Sequence, residues 1–169
     1  KGCDILVECL EREGVDTVFA YPGGASMEIH QALTRSKSIR NILCRHEQGE
    51  IFAAQGFAKT SGLVGVCIAT SGPGVTNLVT GLATATTEGD PVLAIGGEVS
   101  TEDRYKHCHQ SLDAISLMEP VTKYAKTALN AHDLPEVLGN AIRAAERGRR
   151  GAARPPRRRA PAPSRRRPR

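Results

Sequence analysis

At 169 residues with a 40% apolar fraction, the chain has room for one domain with a real core, but three Phe, three Tyr and no Trp exclude an aromatic-cored β-sandwich. The net charge of +5 belongs to one end: residues 149–169 hold ten of the 23 Lys and Arg and none of the 18 Asp and Glu, which leaves the first 148 residues at −5. That acidic body excludes nucleic-acid binding as the role of the whole protein.

Residues 3–13, CDILVECLERE, place Ile5, Leu6, Cys9 and Leu10 on one helical face, and Gly14 predicts the helix end. DTVFAYP predicts a short strand stopped by Pro22-Gly23-Gly24, after which Ser26 is positioned to cap a second helix, MEIHQALTR. IRNILC predicts the second strand, followed by a helix beginning near His46. VGVCIATS is apolar almost throughout, as a strand covered on both faces must be. Ser71-Gly72-Pro73-Gly74 then turns the chain into a helix with Val75, Leu78, Val79 and Leu82 inward. PVLAIGG predicts the fourth strand after the Gly89-Asp90-Pro91 turn. A short helix near 111–118, a strand TKYAKTAL and a helix over 133–147 complete the body.

Alternating strands and helices predict an α/β fold with a doubly wound, mainly parallel sheet and helices on both faces. Right-handed crossovers gather the loops 22–25, 45–48, 70–74 and 96–110 at the carboxyl edge of that sheet, where such folds bind ligands. The domain is expected over residues 1–148. The remainder, 149–169, is expected as an Arg/Pro/Ala-rich disordered tail, because like charges and prolines forbid packing. Its Arg, Pro, Ala and Gly all have GC-rich codons, so it reads as GC-rich DNA translated out of frame; a true basic arm would attract nucleic acid only non-specifically. The five cysteines form no CxxC and cannot all pair, which favours a reducing compartment. No apolar run approaches the ~18–20 residues of a membrane span, and no signal peptide is visible. The first residue is Lys1, so an upstream segment is expected.

Among the candidate chemical groups, Glu47 stands where a strand hands over to a helix. Taken alone it reads first as a first-turn acid complementing the helix dipole. Ser71-Gly72-Pro73-Gly74 resembles an anion-binding loop but lacks GxGxxG and GxxxxGK[ST], so a tight turn explains it as well. His107-Cys108-His109 has no second ligand pair at zinc spacing, and no metal site is assigned to this chain. Ser71 lacks the GxSxG elbow of a hydrolase nucleophile.

Together, VFAYPGGASMEIHQAL, RHEQGEIFAAQGFAKTSG, GVCIATSGPGVTNLVTGL and EGDPVLAIGGEV closely resemble, in order and spacing, the N-terminal pyrimidine-binding domain of acetolactate synthases. These are thiamine-diphosphate enzymes, and the resemblance covers about residues 2–153. The opening is most similar to the plant biosynthetic enzymes, whereas HQSLDAISLMEPVTKYAKTA is more similar to the bacterial catabolic, flavin-independent branch. The resemblance implies that Glu47 hydrogen-bonds a ring nitrogen of the cofactor's aminopyrimidine and favours its imino tautomer. It implies further that Pro22, Gly23, Gly24 and Ala25 face the middle of the cofactor. Thr70, Gly72, Pro73, Gly74 and Asn77 would border the pyrimidine, and Gln110 would approach the substrate.

The implied reaction is decarboxylation of pyruvate and its joining to a second 2-oxoacid, giving acetolactate or related acetohydroxyacids. The implied assembly is a homodimer or tetramer built across the cofactor, in bacterial cytoplasm or a plastid. Mg2+ would be held by a Gly-Asp-Gly…Asn-Asn signature in a further domain; here Gly89-Asp90 is followed by Pro. FAD dependence is left open. Glu50 departs from the family's small residue or amide: three positions after Glu47, it either shares that helix face and disturbs the titration of the first acid or points to solvent. The rivals are another thiamine-diphosphate decarboxylase or lyase, and a non-catalytic fragment using its basic tail.

Overall fold

A computed structural model describes residues 1–100, 102, 103, 106 and 108–147. Its first helix, α1 (Gly2–Arg12), buries Leu6, Val7 and Leu10. It ends at Gly14, whose φ of +81° lets the amides of Gly14 and Val15 turn back to the carbonyls of Glu11 and Leu10. Strand β1 (Thr17–Ala20) follows, then a 3₁₀ turn (Gly24–Ser26), α2 (Met27–Leu33) and β2 (Arg40–Leu43). Next come α3 (Glu47–Ser61), β3 (Gly65–Ala69), α4 (Pro73–Thr76), α5 (Val79–Glu88) and β4 (Val92–Gly96). The last described elements are α6 (Ala114–Met118), a 3₁₀ turn (Glu119–Val121) and α7 (Leu134–Glu146).

The four strands are parallel and lie in the order β2-β1-β3-β4. Side chains alternate across them, and two cores result. Val18 and Ala20 of β1 and Val66 and Ile68 of β3 join Leu6, Leu10, Leu33, Leu138 and Ile142 on the face covered by α1, α2 and α7. Cys67 and Ala69 point the other way, to Ile51, Ala54, Val75, Leu78 and Leu82 of α3, α4 and α5. Phe19 packs on that second face, and its ring meets Phe57 edge-on. The sheet is therefore doubly wound. All five residues of β3 are buried, which explains its unbroken apolar run.

The order reverses between β1 and β3: α2 carries the chain outward to β2, and α3 returns it across β1 to β3. The crevice above this reversal is where open parallel sheets bind ligands. It is bordered by the loops 21–26 and 70–74 and by the start of α3.

Three sequence expectations need correction. TKYAKTAL forms no strand: residues 123–128 instead line, with β4 and α7, a cavity of about 490 Å3 that separates the segment from β4. The single helix expected after Pro73 is two, α4 and α5, with the interruption at Asn77 and Leu78; Val79 is only half-buried. Ser26 does not cap α2 with its side chain. It is fully buried, and its hydroxyl instead accepts from the amide of Gly23 and donates to the Gly23 carbonyl, tying the loop upon itself. The tail reading lies outside the described residues.

Candidate active site

Glu47 is the first residue of α3. His46 before it is extended, and its Nδ1 accepts from the amide of Gln48, capping the helix. Glu47 is 7% exposed, and its Oε2 accepts a 2.9 Å hydrogen bond from Nδ2 of Asn77. Asn77 reaches it because the chain tightens between α4 and α5. Oε1 lies 3.3 Å from the place a Cβ on Gly74 would take. With no Cβ on Gly74, that carboxylate oxygen and the methyl of Thr70 both close in on its Cα.

Thr70 joins two of the loops. Its hydroxyl accepts from the amide of Ala25 at 3.3 Å, and its methyl end fills the space beside Gly23 and Gly74. A Cβ on Gly23 would stand 2.4 Å from Cβ of Thr70, so only glycine allows this approach. Gly72 sits at φ +60°, pressed against Gln110, which itself has φ +63°. The Ser71 hydroxyl donates to Oε1 of Gln110 at 3.2 Å.

The structure thus brings Gly23, Ala25, Glu47, Thr70, Gly72, Gly74, Asn77 and Gln110 into one connected constellation. Pro22, Gly24 and Pro73 stand exposed on its rims, and no neighbour lies within 4 Å of where a Gly24 Cβ would be. His107 lies outside the described residues. Among the described residues no three His, Cys, Asp or Glu side chains gather as metal ligands would.

Glu50 does not face solvent. It is fully buried, and neither carboxylate oxygen has a hydrogen-bond partner. Burial, and secondly the negative charge of Glu47, push its pKa up to about 8. The amide of Tyr21 lies near enough to pull the other way, but its hydrogen bond goes to the carbonyl of Ile68 at 3.3 Å. Sequence reasoning also missed Gly97, whose Cα packs against the carbonyl of Ala25, and Ser71 as the holder of Gln110. The paired glycines 96–97 at a strand's carboxyl end were the available signal for the first.

Residues 1–117 match the family described as "Thiamine pyrophosphate enzyme, N-terminal TPP binding domain". The chain belongs to this family. It is 54% identical over 151 residues to "Acetolactate synthase, chloroplastic" of Arabidopsis thaliana, covering 89% of this chain and 22% of that protein. It is 53% identical over 151 residues to "Acetolactate synthase 2, chloroplastic" of Nicotiana tabacum, covering 89% and 23%. The rice "Acetolactate synthase 1, chloroplastic" (Oryza sativa subsp. japonica) is 54% identical over the same length, covering 89% and 23%. The chain spans under a quarter of the length of these curated relatives.

The constellation fits the thiamine diphosphate that the family binds. One carboxylate oxygen of the nearly buried Glu47 is fixed by an amide donor, the other stands beside Gly74 and Thr70, and the surrounding residues are small.

Proposed function

We propose that this chain is the pyrimidine-binding part of an acetolactate synthase, and that Glu47 is its cofactor-activating carboxylate. The observation that carries this is the pairing of Glu47 with Asn77 at the mouth of the β1/β3 crevice, with Oε1 left beside Gly74. A carboxyl group that is nearly buried yet touches a cleft can share a proton with an aromatic nitrogen. Thiamine diphosphate, when bound, supplies the electron sink for decarboxylating a 2-oxoacid. Glu47 would then hold the proton at the ring nitrogen, and Asn77 would fix which carboxylate oxygen is presented. Thr70, Gly23 and Gly74 would shape the slot, and Gln110, held by Ser71, would face the substrate.

The substrates proposed are pyruvate and a second 2-oxoacid, by analogy with the names of the relatives. Mg2+ and the diphosphate are assigned to residues outside this chain, and the cleft, open at the sheet edge, to completion by a second subunit. The chloroplastic relatives favour a plastid.

The test is a chimera in which this chain replaces the matched 151 residues of the Arabidopsis relative. It should form acetolactate from pyruvate, and Glu47→Gln should lower the rate about 10²–10⁴-fold. A chimera that retains cofactor and releases acetaldehyde without acetolactate would move the reading to a simple decarboxylase.

A further inference from the structure

Glu50 is used by none of the roles above, yet it is the most anomalous side chain in the domain. It stands one helical turn from Glu47, is fully buried, and both its oxygens lack partners. The groups that face it come from four elements. On its own helix there is Glu47. From the end of β1 comes the Tyr21 amide, already bonded to Ile68. Just after β2 lies the Cys44 thiol, and on β3 the Cys67 thiol. Burial first, and then the charge of Glu50, push both thiols up. Among the described residues no Lys, Arg or His pairs with it. A carboxyl group enclosed this way favours its neutral form, because burial and the charge of Glu47 outweigh the one nearby amide that would stabilise its anion.

Glu47, by contrast, has the Asn77 donor and touches the cleft. We propose that Glu50 and Glu47 form one coupled carboxyl pair in which Glu50 holds a proton, making Glu50 the positioning residue and leaving Glu47 as the carboxyl group presented to the cleft. This rests on the reading of Glu47 as the activating carboxylate. When Glu50 gives up its proton, its new negative charge one turn away opposes the build-up of negative charge on Glu47. Glu47 then donates less readily to an aromatic nitrogen in the cleft. Glu50 thereby sets an alkaline limit on the site without touching the cofactor.

The experiment is an NMR titration of the glutamate side-chain carboxyl carbons in the 169-residue chain, without cofactor, for wild type, Glu50→Gln and Glu47→Gln. Wild type should show a carboxyl step near pH 8, the value to which Glu50 is pushed. That step should vanish in Glu50→Gln and move to lower pH in Glu47→Gln. A step that survives Glu50→Gln, or no carboxyl titrating above neutrality, overturns the proposal. If Glu50→Gln does not fold, Glu47→Gln still decides: an unmoved midpoint refutes the coupling.

The chimera separates the two readings. The alkaline fall of its kcat should disappear in Glu50→Gln, an effect that lost packing alone does not produce. If the titrations couple but Glu47→Gln leaves turnover intact, the pair stands and the activating role of Glu47 falls. If turnover collapses with no coupling, Glu47 keeps its role and the proposal fails.

Discussion

At Glu50 the linkage between ionisation and folding can be worked out with its sign. The unfolded carboxyl titrates near 4.5 and the folded one near 8, so the folded state binds the extra proton between these values. Stability is then fully present below about pH 4.5 and falls by up to about 1.4 kcal/mol per pH unit until Glu50 ionises in the fold. Urea unfolding of the intact chain across that range should show this decline, and Glu50→Gln should flatten it; an equally steep decline in the variant would mean another group is responsible. Asn77→Ala removes the amide that donates to the Glu47 carboxylate and should cost about 1–3 kcal/mol in the same assay. The motif RHEQ marked Glu47 in the sequence. Nothing there decided between the two orientations of Glu50, because that depends on how α3 rolls against β1 and β3. Nor did the string SGPGVTN reveal that its helix breaks to deliver Asn77.

Among the elements, α3 packs tightly on β3, and one glycine permits it. A Cβ on Gly65 would lie 2.0 Å from the carbonyl oxygen of Ala54 and 2.7 Å from its carbon, both backbone atoms that cannot swing aside. Gly65→Ala should therefore cost at least about 3 kcal/mol or prevent folding, since helix and strand must separate. Gly62, three residues earlier, is the control. It ends α3 at φ +73° with open space around it, so Gly62→Ala should cost only about 1–2 kcal/mol, the strain of a left-handed backbone. Denaturant midpoints of the two variants check the contrast, and equal losses would refute the packing argument. The sequence predicts the four parallel strands well, and for β1, β3 and β4 the reason is an apolar run bounded by Gly or Pro. TKYAKTAL fails the same reasoning for a physical reason: alternation describes a surface that can pair, and pairing needs a neighbour within ladder distance. Here a cavity intervenes.

For the whole molecule, the question is whether so compact a share of a thiamine-diphosphate enzyme can turn over alone. The fold gathers the pyrimidine-side residues at one exposed edge, and among the described residues no ligand cluster for a divalent ion accompanies them. Relatives of the chain are more than four times its aligned length. Holding a charged diphosphate calls for cationic groups, and the residues described around Glu47 are glycines, Thr70 and Asn77. The purified 169-residue chain, given pyruvate, thiamine diphosphate and Mg2+, should therefore form no acetolactate above the protein-free rate, while the chimera does. Acetolactate production by the chain alone, lost in Glu47→Gln, would show that the crevice suffices. The diphosphate would then have to be held by residues of this chain outside the constellation around Glu47.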